Sequence, residues 1–478
     1  MLFSSYEFLV LFFPVTLLGY FLINRLGPIG LGRLWLLVMS LTYYGWWNIN
    51  YVPLILGTIL FNYVVSLALM RRHAQNRPTG LWLAFGVSAN LALLGYYKYA
   101  NFFLDNVIGA AGGRFDVLHI ALPLGISFYT FQIIAHLADS AQGKVKDTDI
   151  LNYALFVLFF PQLIAGPIVH HKEMMPQFDE LRNRRVRLEN LASGLFIFSI
   201  GLFKKVVLAD QLAVYADSGW DNMDSITTLS AAITMLAFTF QIYFDFSAYS
   251  DMAIGCGRML NINLPINFKS PYKARNMAEF WRRWHMTLGR FLFDYLYKPL
   301  GGGRYGWLFT GRNVLIVFFL GGLWHGAAWT FVVWGLLNGL AVAAAHIWGR
   351  FARPLPFVIA WGLTFSFTVV AWSYFRAPTL SDGWAMIAAL FGANGIVVTE
   401  TFAFTGLPVA PVGGGFVSLS SPMLMILLCA TIAFFTPNSI ELLERFRPNA
   451  LRLVWAASSF ILGFLYVDTT RSFLYWVF

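Results

Sequence analysis

His325 lies in the run FFLGGLWHGAAWTFVVWG, well inside a long apolar stretch. An ionisable group in such a run is costly to keep there, so it marks a candidate site. A neutral imidazole accepts a proton at ordinary pH, and a positioned one acts as a general base. Trp324 and Trp329 flank it, and Gly321, Gly322, Gly326, Ala327 and Ala328 surround it. Small residues let backbones approach closely, or leave room for a substrate beside the ring. The competing reading is a histidine that only bonds a neighbouring helix.

Three further places carry groups of this kind. His285 stands in FWRRWHMTLG beside Trp284, as a chemical group or as an interfacial histidine without chemistry. Asp245 and Asp251 interrupt QIYFDFSAYSDMAIG, with Tyr243, Ser247, Tyr249 and Ser250 between them. Two acids in an apolar window require bases or hydroxyls as partners. They could form an ion or proton path, but the favoured reading is structural, with the acids holding a basic element at 267–312 in place. The last place is FPQLIAGPIVHHKE at 160–173, where Pro161, Gly166 and Pro167 are expected to interrupt a helix. His170 and His171 are adjacent, without the i, i+4 spacing of a zinc pair, so no metal site is expected. His136 and His346 lie near the ends of apolar windows and read as surface or packing residues. The chain contains no G-x-S-x-G elbow, Walker loop or H-E-x-x-H pair.

The elements that must hold these groups are membrane helices. Of 478 residues, 58% are hydrophobic and only 12% charged, about half of the roughly 25% found in soluble domains. A soluble enzyme, a disordered tail protein and a secreted disulfide scaffold are excluded; the two cysteines, Cys256 and Cys429, stand apart in apolar surroundings. Apolar windows recur from 8–24 to 452–467, which predicts an all-α polytopic membrane protein with about 11 crossings plus re-entrant or interfacial helices. The first window opens MLFSSYE, without a basic flank or a small-residue cleavage site, and reads as a retained helix. The window 313–349 has room for two helices with a break. No linker divides residues 1–478, so one transmembrane domain is expected. The Gly- and Pro-rich stretch 406–415 reads as an extramembrane loop.

The net charge of +10 is unevenly placed. Residues 267–312 hold nine bases against Glu279 and Asp294. By the positive-inside rule this stretch, Arg182–Arg187 and Arg71–Arg72 face the cytoplasm, and 217–227 and 377–383 face out. The bases flank apolar runs instead of forming one patch, which argues against nucleic acid. Within 267–312, Phe280, Trp281, Trp284, Leu288, Phe291, Leu292 and Tyr295 fall at helical spacing, with Arg282, Arg283 and Arg290 between them. That pattern predicts an amphipathic helix in the interface plane. It serves either as a membrane-surface anchor or as the mouth of a site that attracts a phosphate-bearing ligand. Gly301–Gly303 reads as a turn after it.

Seven ordered motifs together resemble the membrane-bound O-acyltransferase superfamily, in particular its bacterial alginate O-acetyltransferase type. They are MLFSSYEFLVLFFP, GYYKYANFFLDN at 95–106, LPLGISFYTFQ at 122–132, FPQLIAGPIV at 160–169, YFDFSAYSDMAIG at 243–255, the run from Asn267 to Gly302, and GGLWHGAAWTFVVWG at 321–335. The resemblance implies transfer of an acetyl group from a cytoplasmic thioester, acetyl-CoA or an acyl carrier protein, to a polysaccharide such as alginate, with no bound cofactor. It implies catalytic roles for His325 and His285; substrate contacts are expected from Trp324, Asp245, Asp251, Arg282 and Arg283. A multi-pass protein of the bacterial inner membrane is expected and, because the chain has no sizeable soluble domain to hold a polymer, a partner acetyltransferase protein outside. One departure stands out: many relatives carry a histidine in the W-G-x-x-H-G run, where this chain has WGLLNG with Asn338. The rival expectation is a transporter or flippase for a glycan or lipid-linked sugar.

Overall fold

In lipid the backbone has no water to bond, so apolar runs of this length must satisfy their N–H and C=O groups as helices. The computed structural model describes residues 1–28, 30–110, 120–395, 422–469 and 471–474. Among the described residues every regular element is a helix and there is no strand. Eight helices are long and apolar enough to cross a membrane, and Leu380–Leu390, Pro422–Phe435 and Ala450–Leu465 are shorter apolar ones. The expected all-α, multi-pass membrane protein is what the chain forms. The Gly- and Pro-rich loop expected at 406–415 lies outside the described residues.

The chain divides into two compact units. The first comprises Met1–Phe198, Ser250–Ile266 and Arg447–Leu453. Its helices are α1 (Glu7–Leu26), α2 (Leu31–Trp47), α3 (Ile49–Ala74), α4 (Gly80–Ile108), α5 (Ile126–Ala141), α6 (Ile150–Leu158) and α7 (His171–Asp179). Buried polar pairs fix their packing. Asn62 on α3 and Asn90 on α4 exchange amide hydrogen bonds of 3.0 and 2.6 Å. Ser66 on α3 bonds His136 Nε2 (3.0 Å) and Ser140 (2.9 Å) on α5, so His136 is a packing residue as expected. The interruption expected at 160–173 is present. α6 stops at Leu158, one turn covers Phe160–Leu163, and α7 starts at His171, whose Nδ1 faces Asp139 at 3.6 Å. Asp251 is buried in this unit.

The second unit comprises Ser199–Tyr249, Asn267–Phe446 and Val454–Phe478. Two helices supply residues to both units, α8 (Leu188–Asp221) and α9 (Thr228–Met259). Their spanning windows are 72% and 78% buried, so polar groups on them are shielded from lipid. Asp245 on α9 uses that shelter. Lys205 Nζ donates to Asp245 (2.7 Å) and to Asp210 (2.8 Å), and the Leu474 N–H donates to Asp245 (2.9 Å). Asp245 therefore has a structural partner, but it is Lys205 and not a base of 267–312.

That basic element is the largest departure from expectation. In place of one surface helix it forms α10 (Met277–Trp281) and α11 (Met286–Leu292), joined through His285 at φ +45°. Asn276 starts α10 by accepting the Glu279 N–H at 2.8 Å. Trp284 is 1% exposed and packs against Tyr243, Phe268, Tyr272, Phe280 and Trp372. A ring with aromatic neighbours on that many sides belongs in a core, and seating it there breaks the helix. Positive φ at Gly301 and Gly302 supports the expected turn.

Candidate active site

The site is assembled on a helical hairpin, α12 (Trp307–His325) and α13 (Trp329–Phe351). The break expected in 313–349 falls directly after His325, with Gly326 and Ala328 extended. Gly322 and Gly335 bring the two backbones together. A Cβ on Gly335 would strike the Phe318 carbonyl oxygen and approach Gly322 Cα at 3.1 Å. Neither obstacle can rotate away. Gly335→Ala should therefore cost about 1–3 kcal/mol of stability, seen as a lower melting temperature in detergent with reduced transfer activity.

This packing leaves His325 at the end of α12, 5% exposed and enclosed by rings. Its imidazole lies edge-on to Trp334 (5.0 Å between centroids), and to Trp324 (4.9 Å) and Phe375 (5.4 Å) on other sides. Phe375 belongs to α14 (Phe357–Arg376). His285 is the second histidine here. Its ring lies 6.2 Å from Trp324, so the Trp324 indole stands between two histidines that are 40 positions apart in the chain.

His285 is held tightly. Its Nδ1 donates to Asn267 Oδ1 at 3.1 Å, and the Thr287 hydroxyl donates to the same oxygen at 2.8 Å. That assigns the proton to Nδ1 and leaves Nε2 as the basic nitrogen. His285 lies outside the spanning helices, and burial pushes its pKa down to about 3, so the ring is neutral. A non-glycine residue at φ +45° stores strain, which surrounding bonds must hold in place.

A cavity of about 590 Å³ opens from His325. On α12 its lining is Val314, Val317, Phe318, Gly321, Gly322 and His325, one stripe at i, i+3, i+4, i+7, i+8 and i+11. At 1.5 Å per residue that stripe is roughly 16 Å long. The antiparallel α13 contributes Trp334 at the His325 end, then Val342 and His346. The basic element adds Trp281, Arg282, Met286 and Arg290. Arg282 is exposed and lies close enough to His346 for their charges to interact. The walls are thus mainly apolar, with cations along them and a histidine at the buried end.

The structure brings His325, Trp324 and His285 together, and Arg282 lines the cavity with His325, whereas Trp324 and His285 do not line it. Arg283 is turned aside in an ion pair with Glu279 at 2.7 Å. Asp245 is taken up by Lys205, and neither it nor Asp251 lines the cavity. Most of the lining residues, Trp281, Trp334 and His346 among them, had no place in the sequence reading as site residues. The signal was available for two of them, since Trp334, Val342 and His346 repeat at eight and four along one face of α13. Among the described residues no cluster of His, Cys, Asp and Glu could hold a metal ion.

The family model for the membrane-bound O-acyltransferases (MBOAT) matches residues 110–378, a span that includes the hairpin, both histidines and the basic element. The chain belongs to this family. Two relatives agree over greater lengths and a third over a shorter one. A peptidoglycan O-acetyltransferase of Helicobacter pylori is 42% identical over 100% of this chain and 98% of its own length. A probable alginate O-acetylase of Pseudomonas aeruginosa is 40% identical over 82% of this chain and 75% of its own. A teichoic acid D-alanyltransferase of Bacillus subtilis is 25% identical over 49% of this chain and 62% of its own. As an MBOAT acyltransferase the chain is an enzyme, which decides against the transporter expectation.

Proposed function

We propose that the protein is an O-acetyltransferase of the bacterial inner membrane that moves an acetyl group from cytoplasmic acetyl-CoA to a hydroxyl of a cell-envelope glycan. The observation that carries this reading is the cavity that runs from Arg282 and His346 to His325. A CoA thioester has an anionic nucleotide end and a narrow arm that ends in the reacting carbonyl. Cations along an apolar passage with a base at its end match that distribution of charge. The direction is supported by Arg304 and Arg312 at the start of α12 and Arg350 and Arg353 at the end of α13. The positive-inside rule places those ends in the cytoplasm and the His325 turn away from it.

In the reaction, a lone pair of the acceptor hydroxyl attacks the thioester carbonyl as His325 takes the hydroxyl proton. The C–S bond then breaks, and the thiolate leaves with the proton held by the imidazolium. His285, neutral and fixed by Asn267, supports the far side of Trp324. Peptidoglycan is the first acceptor to test and alginate the second, from the names and coverage of the relatives. The polymer receives the group directly or through a partner acetyltransferase outside the membrane.

The test is to supply membranes containing the protein with acetyl-CoA labelled in the acetyl group, with and without each glycan. CoA release with label on the glycan is expected. Glycan binding without thioester turnover would refute the reading. Turnover only with an acyl-carrier-protein thioester would replace the donor. Arg282→Gln and Arg290→Gln should each raise the KM for acetyl-CoA about two- to fivefold and leave kcat nearly unchanged. The increase for Arg282→Gln should shrink as salt is raised, because an exposed cation is screened.

A further inference from the structure

We propose that Asn338 is a positioning residue that clamps the Trp281 indole into the cavity wall and so fixes the bore leading to His325. The inference rests on the reading of this cavity as the donor site. Asn338 lies on α13, 2% exposed, one turn beyond Trp334. Its Nδ2 donates to the Trp334 backbone carbonyl at 2.8 Å, and its Oδ1 accepts the Trp281 indole N–H at 3.2 Å. The two neighbours fix the amide orientation between them. One offers only an acceptor and the other only a donor, so a flipped amide would oppose like groups on both sides. Asparagine suits this position because it carries one group of each kind on a short arm. Aspartate would set a carboxylate against the carbonyl, and leucine would leave the part-buried indole N–H unbonded.

The clamp reaches both ends of the cavity. Trp281 lies edge-on to Phe318 (5.1 Å) and to Trp334 (5.7 Å), and Trp334 lies edge-on to His325 (5.0 Å). Trp281 also directly precedes Arg282, so the same hydrogen bond ties the strand of chain that bears this cation to α13. Trp281, Phe318, Trp334 and His325 all line the cavity, whereas Asn338 lies behind the wall and acts on the donor only through Trp281.

The test is a double-mutant cycle of Asn338→Leu and Trp281→Phe in the full-length protein in membranes. The first removes the acceptor and the second the donor of one bond. Each single variant should raise the KM for acetyl-CoA about fivefold or more while kcat changes less than twofold. The double variant should be no worse than the poorer single one, because the bond can be lost only once. Losses in melting temperature, which need no donor, should show the same failure to add. An unchanged KM in Asn338→Leu at normal abundance, or effects that multiply in the double variant, would overturn the proposal while leaving the acetyltransferase reading intact. If wild-type membranes release no CoA, the donor reading fails and the role in setting its bore fails with it, whatever the melting cycle shows.

Discussion

Replacing His325 with alanine is expected to lower acetyl transfer by about 10²–10⁴-fold and to leave the protein in the membrane at its normal level. The loss follows from the proposed role of the ring as the base, His325 being a buried residue that lines the cavity. Retained abundance follows from what holds the hairpin. α12 and α13 meet through the backbones at Gly322 and Gly335, which the substitution does not touch. His325→Asn separates polarity from basicity, because its amide keeps a donor and an acceptor but cannot take the proton. It should be nearly as inactive as alanine. The measurement is labelled acetyl transfer normalised to protein detected in the membrane. Near-normal transfer in either variant would remove His325 from the mechanism.

How much of this was legible beforehand depends on how far along the chain the deciding interaction reaches. Part of the surroundings of His325 could be read directly, because Trp324 and Gly322 lie within three residues of it, whereas the ring neighbours Trp334 and Phe375 are brought in by the return of the chain. The interruption after Leu158 was legible for the same reason, its prolines and glycine being local. The element at 267–312 was not. Its apolar spacing is continuous from Phe280 to Tyr295, and periodicity alone describes one helix. The break at His285 is held by Asn267, eighteen residues upstream, and by a tertiary aromatic cluster around Trp284. The partner of Asp245 was hidden likewise, since Lys205 lies forty residues away in KKVVLAD. His346 was passed over as a window-end residue because what makes it part of the site is the antiparallel return of α13 along α12.

Lys205→Met is expected to have the opposite profile, with most of the protein lost from the membrane before activity can be compared. Lys205 is 1% exposed in side-chain area and bonds two carboxylates that are also nearly fully buried. Removing the cation leaves both acids without their counter-charge, and breaking a buried pair in this way typically costs about 3–5 kcal/mol. Against a total stability on the order of 5–15 kcal/mol, that is enough to shift the population towards misfolded and degraded protein. The acids do further work that the lysine does not. Asp210 accepts the Arg471 N–H and Asp245 the Leu474 N–H, so the two anchor the last described segment of the chain. This separates loss of charge balance from loss of anchoring. A triple variant, Lys205→Met with Asp210→Asn and Asp245→Asn, removes all three charges and keeps side-chain oxygens for both backbone N–H groups. It should recover most of the abundance and melting temperature lost by Lys205→Met alone. Because none of the three residues lines the cavity, acetyl transfer per molecule of recovered protein should stay within about threefold of wild type. Wild-type abundance and melting in Lys205→Met would show that the triad does not carry the stability assigned to it. Recovered abundance with transfer as low as in His325→Ala would instead place Lys205, Asp210 or Asp245 within the chemistry.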